Sequence, residues 1–417
     1  MTNRSDVLVL GGGVVGLASA VQLLRAGRSV TVLERGRAGG ATSRGNCGTI
    51  TPSHATPLAM PGMVAKAIKY LLQPDAPFRV APRFDPALFG WLLHFARRCN
   101  WRRFEEITRV KGPLLVRARQ RLADLVREEA LDCGFEELGT LYCWRDERAF
   151  AQSAWLPRAL ATVGVEIRTL DGAAARALEP AINDSIVAAY HNPGDAHLRP
   201  DRYVAELARR VRELGGNLVE DAAVTDFLGD GDRIGAVVAG DQRHAAQDIV
   251  FALGAWSPAL AARIGLDLPI QPGKGYSITY ERPGRAPRIP VVCKERSVCV
   301  TAWKDGYRLG STMEFAGYDT SMNRVRLDAL VRGAREYLHE PEGPRRIEEW
   351  YGWRPMTWDD LPIIGRARNW RNLVLATGHG MLGVTMSAVT ADLVRDIVLG
   401  KKPDLDPAPF GPARFGA

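Results

Sequence analysis

The sequence predicts an α/β chain in which a Rossmann-type dinucleotide-binding domain is interleaved with a second domain built on a mixed or antiparallel sheet. Three observations predict it. The apolar run Val7-Leu8-Val9-Leu10 enters a glycine turn and then residues at helical spacing. Two further apolar runs, at 249–253 and 373–376, also end in glycine turns far down the chain. Between them, residues 270–312 alternate and carry turn signals, as antiparallel strands do. With 417 residues, 46% hydrophobic and 24% charged, the chain has material for two or three units.

The elements follow in order. Residues 7–10 read as a buried parallel strand. Val14, Leu17, Ala18, Val21 and Leu24 mark one face of a helix closed by Gly27, and residues 29–33 form the next strand, completing a βαβ unit. A Pro- and Gly-rich stretch from Thr49 turns helical towards Tyr70. Residues 86–130 read as helical and basic on one side. A strand at 139–144, short helices at 147–163 and 171–178, and a strand at 186–191 come next. Pro200 starts a helix through Leu214, stopped by Gly215-Gly216. A strand at 218–219 and a meander over 223–252 follow. After the strand at 373–376, Met386, Val389, Leu393, Val394 and Ile397 share one helical face, and residues 401–417 read as an extended tail. The expected division assigns 1–57, 198–265 and 352–417 to the dinucleotide domain, and 58–197 and 266–351 to the substrate domain.

Gly11, Gly13 and Gly16 form G-x-G-x-x-G between the first strand and helix, with Val14 and Val15 at the helix start. The first glycine permits the turn, the second lets the backbone approach a pyrophosphate, and the third allows close helix–strand packing. The helix N-terminus offers N–H groups and a positive dipole to phosphates. Glu34 ends the second strand, 18 residues after Gly16. Its carboxylate suits the ribose hydroxyls and repels a 2′-phosphate. The second glycine turn, Thr377-Gly378-His379-Gly380-Met381-Leu382-Gly383, fits the far end of a long ligand. A helix N-terminus there stabilises negative charge on a reduced flavin, which favours FAD over NAD.

Four segments together resemble the D-amino acid oxidase/dehydrogenase family of flavoproteins, which includes glycine oxidase and sarcosine oxidase. They are residues 11–34, Gly254-Ala255-Trp256-Ser257, residues 352–365 with Gly352-Trp353-Arg354-Pro355, and residues 376–383. Residues 45–52 and Lys274-Gly275-Tyr276-Ser277 are more similar to the bacterial D-amino acid dehydrogenase branch. The resemblance spans essentially the whole chain. It implies that Gly11, Gly13, Gly16, Glu34 and Arg35 hold the ADP half of FAD. It places Ser43, Arg44 and Asn46 along the pyrophosphate and flavin, Val224 at the adenine, Gly254 and Trp256 in the cofactor site, and Gly378, His379, Gly380, Met381, Leu382 and Gly383 at the pyrimidine edge. Arg354 is the expected anchor of the substrate carboxylate, a role its planar charged fork suits. The implied reaction moves a hydride from the α-carbon of a D-amino acid, or a cyclic imino acid, to flavin N5. The imino acid then hydrolyses to a 2-oxo acid. Water, Tyr276 or His54 are the expected routes for the amine proton. Trp350 and Tyr351 stand where some relatives attach flavin through a cysteine, so the FAD is expected to be non-covalent. Cys47 has no partner before Cys99 and reads as a packing residue, and Asp359 and Asp360 read as turn formers. A D-proline or D-hydroxyproline dehydrogenase, an O₂-using oxidase and a non-catalytic FAD-binding subunit stay open as alternatives.

The net charge of +8 favours anionic partners. No zinc-finger spacing or long basic stripe points to nucleic acid. The six cysteines form no C-x-x-C pair and the seven histidines no metal-binding spacing, so no metal is expected. Residues 7–20 resemble a signal peptide in their apolar content, but Asp6 and three consecutive glycines fit a strand–turn–helix better. The cytoplasm is the expected compartment. Residues 66–103 mix Lys66, Lys69, Arg97, Arg98 and Arg102 with Trp91, Leu92, Leu93 and Phe95. That pattern fits a peripheral contact with the inner face of the membrane, and the resemblance to the dehydrogenases implies a quinone as electron acceptor. A homo-oligomer is allowed.

Overall fold

Val7, Leu8, Val9 and Leu10 are each at most 1% exposed, as a strand must be when covered on both faces. The computed structural model that places them describes residues 2–71, 73 and 76–416. Residues 72, 74 and 75 of the basic stretch and Ala417 of the tail lie outside the described residues.

The strand Thr2–Leu10 pairs in parallel with Val30–Leu33 on one side and with Gln242–Phe251 on the other. Val30–Leu33 pairs onward with Asn217–Val219. The far end of Gln242–Phe251 takes Leu373–Thr377 as a parallel neighbour, and its near end carries the antiparallel hairpin Val224–Asp230 and Arg233–Ala239. Segments from the start, middle and end of the chain thus meet in one sheet. Helix α1 (Val14–Arg25), helix Pro200–Glu213 and helix Gly383–Val398 pack against it, and their buried residues merge with the strands in one core.

A second sheet runs in the order Arg346–Thr357, Ile270–Tyr280, Gly306–Phe315, Val298–Trp303, Val291–Cys293, Thr140–Trp144, Ala188–Asn192, Arg168–Asp171. It is mixed: most pairs are antiparallel, but Val291–Cys293 runs parallel to Thr140–Trp144 and Phe78–Val80 parallel to Gly306–Phe315. Helices α2 (Met63–Leu71), α3 (Pro86–Arg98) and α4 (Trp101–Glu128) follow the first sheet's early strands in sequence, with the strand Phe78–Val80 between α2 and α3. Asp85 and Asn100 start α3 and α4 by accepting from Leu88 and Arg103 N–H.

Two expectations change. The boundary at residue 352 falls inside the strand Arg346–Thr357, which pairs with Ile270–Tyr280 without a register shift from Glu348 to Thr357. A strand cannot leave its sheet mid-ladder without orphaning backbone groups. The tail is not extended. Residues Ala408–Phe410 and Pro412–Phe415 form short 3₁₀ turns, Phe410 is buried, and Arg414 reaches the Asp359 carboxylate (2.9 Å) and the Leu361 and Pro362 carbonyls. Many short polar contacts, invisible to periodicity, hold it down.

Candidate active site

A continuous cavity of about 740 Å³ opens where the carboxyl ends of the first sheet's strands meet the second sheet. At one end is the glycine turn. Gly11 has φ +102°, and a Cβ there would lie 2.5 Å from the Ala252 carbonyl oxygen. A Cβ on Gly16 would lie 2.0 Å from the Gly11 carbonyl oxygen. Gly13 faces the open side, where the nearest atom to an added Cβ is Ser43 Oγ at 3.6 Å. Tight turn, close packing and open approach are thus the three separate jobs of these glycines.

Glu34 is 9% exposed, and its two carboxylate oxygens accept from Gly12 N–H (2.8 Å) and Gly36 N–H (3.0 Å). These bonds fix the carboxylate and leave lone pairs for ribose hydroxyls. The Arg35 guanidinium stacks 3.8 Å from the Trp256 ring, and both line the cavity with Val224 and Gly254. Ser43 Oγ accepts from Val14 N–H at the start of α1 (3.1 Å), beside the pyrophosphate position. Asn46 lines the wall and turns the loop by accepting from Gly48 N–H. Val14, Val15, His379, Gly380, Met381, Leu382 and Gly383 also line it. His379 is held neutral, its pKa pulled down to about 3 by burial, and its Nε2 pairs with Thr390 Oγ1 (3.0 Å). Gly378 stands behind this wall in a left-handed turn, φ +73°.

Arg44 departs from expectation. Its guanidinium turns to Glu348 (3.1 Å), away from the cavity. The residue contributes its carbonyl instead, which accepts from buried Arg308, and that arginine also holds Asn46 O. The donor set and the Cβ-free cradle fit the ADP half of FAD, and Trp350 lines the adjoining wall. Its ring packs where side chains on Gly45 and Gly352 would otherwise sit.

Beyond this lies the second half of the cavity. Arg354 donates to Thr312 O (2.5 Å) and Ser311 O (3.5 Å). Those carbonyls are aimed by a bulge between Ile270–Tyr280 and Gly306–Phe315, where Ser311 (φ +129°) and Thr312 (φ +60°) adopt conformations that non-glycine residues rarely hold. Thr312 Oγ1 and Trp353 Nε1 are buried in this wall with no partner among the described residues. Such orphaned groups point to a ligand that completes them.

His54 sits at the same end, its Nδ1 paired with Thr51 Oγ1 (2.9 Å). Burial first, then the charges of Lys111 and Lys294, pull its pKa down to about 3, so the ring is neutral. The Tyr276 ring lines the cavity, but its hydroxyl donates to Glu314 (2.6 Å), and burial with that carboxylate raises its pKa. Its proton is therefore committed elsewhere. Asp360 pairs with buried Lys111 and Asp359 with Arg414, so both turn residues also carry ion pairs. Cys47 is more than a filler. It packs over Gly310, which stands opposite Cys299 in the strand pairing, and interaction with the Cys299 thiol lowers its pKa. Sequence reasoning missed Thr42, Cys299, Thr312, Trp350 and Lys294 as wall residues. For Trp350 the facing glycines were a usable signal; for the others no local pattern existed.

Among the described residues, no cluster of His, Cys, Asp and Glu has metal-binding geometry, and no helix is long and apolar enough to cross a membrane.

The profile of the FAD dependent oxidoreductase family matches residues 6–397. A D-amino acid dehydrogenase of Granulibacter bethesdensis is 34% identical over 415 residues, covering 98% of this chain and 99% of that protein. One from Agrobacterium fabrum is 33% identical, covering 99% and 100%. Among solved structures, glycine oxidase from Geobacillus kaustophilus superposes with a TM-score of 0.81 at 23% identity, covering 98% of each chain. An L-proline dehydrogenase from P. horikoshii superposes with a TM-score of 0.72 at 19% identity, covering 100% of this chain and 98% of the other. The glycine cradle, the fixed Glu34 carboxylate and a match along nearly the whole chain agree: this protein belongs to the FAD dependent oxidoreductase family, and FAD is its cofactor.

Proposed function

We propose that the protein is a D-amino acid dehydrogenase that passes its electrons to a membrane quinone. The observation that carries the substrate class is Arg354, a cavity-lining guanidinium whose bonds to two carbonyls orient it without neutralising it. The relatives named D-amino acid dehydrogenase support the same reading.

Bound FAD supplies the two-electron acceptor for the hydride lost from the substrate α-carbon. The chain's residues do the rest. Arg354 pairs with the α-carboxylate and fixes the α-carbon's position. Thr312 Oγ1 and Trp353 Nε1 are free to bond the substrate or the cofactor edge. The amine must lose a proton before the hydride leaves. Neutral His54 accepts a hydrogen bond from it, and water takes the proton, because a ring with a pKa near 3 is too weak a base. Tyr276 is a positioning residue, fixed by Glu314. The product imine is released and hydrolysed in bulk water.

For the acceptor, the support is the mouth of the cavity. Helices α2 and α3 line it with Tyr70, Trp91, Leu92 and Phe95, and their outer faces expose Ile68, Phe89 and Leu93 beside Lys69 and Arg97. An apolar face rimmed by cations suits an anionic bilayer.

The test is anaerobic flavin bleaching with D- and L-amino acids, D-proline included, in wild type and Arg354→Ala. Bleaching by D-amino acids is expected. In the variant, KM should rise about 100-fold or more with the flavin spectrum intact, as expected for losing a buried charge pair. An unchanged KM would remove the assignment.

A further inference from the structure

The substrate half of the cavity is cationic beyond what one α-carboxylate needs. Arg354, Lys294 and Lys66 all line it. Among the described residues, the one carboxylate in the cavity wall is Glu34, which lies at the glycine turn and is bonded to Gly12 and Gly36. Among the described residues, the substrate end therefore holds three positive groups and no negative one.

Lys294 is the unexplained member. It follows the strand Val291–Cys293, and its backbone N–H is tied to Cys143 O (3.1 Å), so its place is set by the sheet. Its ammonium lies 4.6 Å from the centroid of the Tyr142 ring and 5.6 Å from that of Trp144. No carboxylate among the described residues forms an ion pair with it. Its chain neighbour Glu295 is turned away, accepting from the Arg145 and Asp146 N–H groups and from the Tyr337 hydroxyl. Burial, and then the charge of Lys66, bring the lysine's pKa down to about 8. A partly desolvated ammonium held only by aromatic faces is costly unless an anion completes it. Lys66, on α2, projects over Tyr70 into the same space. A purely structural lysine would bury its stem and send its charge to a carboxylate or to water.

Resting on the D-amino acid reading above, we propose that this enzyme selects substrates with a second anionic group, the dicarboxylic D-amino acids: Arg354 takes the α-carboxylate and Lys294, assisted by Lys66, takes the side-chain carboxylate. Lys294 is thus a specificity-determining residue. The apolar wall around it keeps the pair dry, which strengthens the preference over a neutral isostere.

The experiment compares each acid with its amide, which has the same shape and no charge: D-glutamate against D-glutamine, and D-aspartate against D-asparagine. Anaerobic reduction of the holoenzyme gives kcat/KM for each. At least one acid should exceed its amide by about tenfold or more. Lys294→Met should collapse that ratio towards one while the protein retains FAD, and Lys294→Arg should restore most of it. Acid-to-amide ratios near or below one in wild type overturn the inference while leaving the D-amino acid reading intact, since the amides are then turned over. A ratio unchanged in Lys294→Met also overturns it. If no D-amino acid bleaches the flavin, the broader reading fails and this one with it. Should Lys294→Met fail to fold, the wild-type ratios alone decide.

Discussion

Asp195 shows how one buried carboxyl supports the loop that carries His54. Its oxygens accept from Ser53 N–H (3.0 Å), Ser53 Oγ (2.6 Å) and Thr140 Oγ1 (2.6 Å). Burial nevertheless dominates and raises its pKa from 3.8 to about 6. The folded state thus holds the proton more tightly than the unfolded state. The stability this group contributes is fully present below about 3.8 and is lost as the pH rises through about 6. Over that window the difference amounts to about 3 kcal/mol. Denaturation of wild type and Asp195→Asn between pH 4 and 7 should show wild type losing that much relative to the variant. A difference constant across the window would mean that the three donors keep Asp195 ionised throughout.

The strand–turn–helix at the N-terminus separates two roles that a motif lumps together. On Gly16 an added methyl meets a backbone oxygen at 2.0 Å, so Gly16→Ala must push helix from strand and should destabilise the apoprotein by about 3 kcal/mol. On Gly13 the same methyl meets only Ser43 Oγ at 3.6 Å. Gly13→Ala should leave apoprotein unfolding within about 1 kcal/mol of wild type and weaken FAD binding about tenfold or more, because the methyl occupies the pyrophosphate's approach. Chemical denaturation of apoprotein and fluorescence titration with FAD check the two; equal effects of both variants on apoprotein stability would refute the division. This element was legible in the sequence because turn, helix start and Glu34 are local and their residue types are forced. The place of Arg354 in the cavity wall was legible through its G-x-R-P context. Lys294 and the Ser311–Thr312 bulge were not. What puts them in the wall is pairing between strands distant in sequence, and the strained positions carry no glycine to announce them. The Arg44 side chain was misplaced for a similar reason: its partner Glu348 is 304 residues away.

At the scale of the whole molecule, interleaving brings the two sheets to one cavity. The strand Arg346–Thr357 carries Arg354 on the second sheet, and the chain then enters the first through Ile363–Arg366. The same architecture puts one set of α2 and α3 residues in the cavity wall and leaves another set exposed to solvent. Phe84 is 91% exposed, Ile68 59%, Phe89 57% and Leu93 52%. Large apolar side chains this exposed on helices that also line the cavity suit a contact surface. Lys69 and Arg97 flank them without an ion-pair partner among the described residues, so the face carries uncompensated positive charge. On the proposed reading, a bilayer rich in anionic lipid would satisfy both features and would also deliver a quinone to the cavity. Wild type should therefore co-sediment with phosphatidylglycerol vesicles and be released by salt, since the Debye length shrinks to about 3 Å at 1 M. The double variant Ile68→Asp/Phe89→Asp should lose most of this binding, and its turnover with a vesicle-embedded quinone should fall several-fold. Neither side chain lines the cavity, so flavin reduction by substrate should keep its rate. If wild type ignores the vesicles, or the variant binds them equally well, the exposed face serves another purpose and the acceptor must reach the cavity from water.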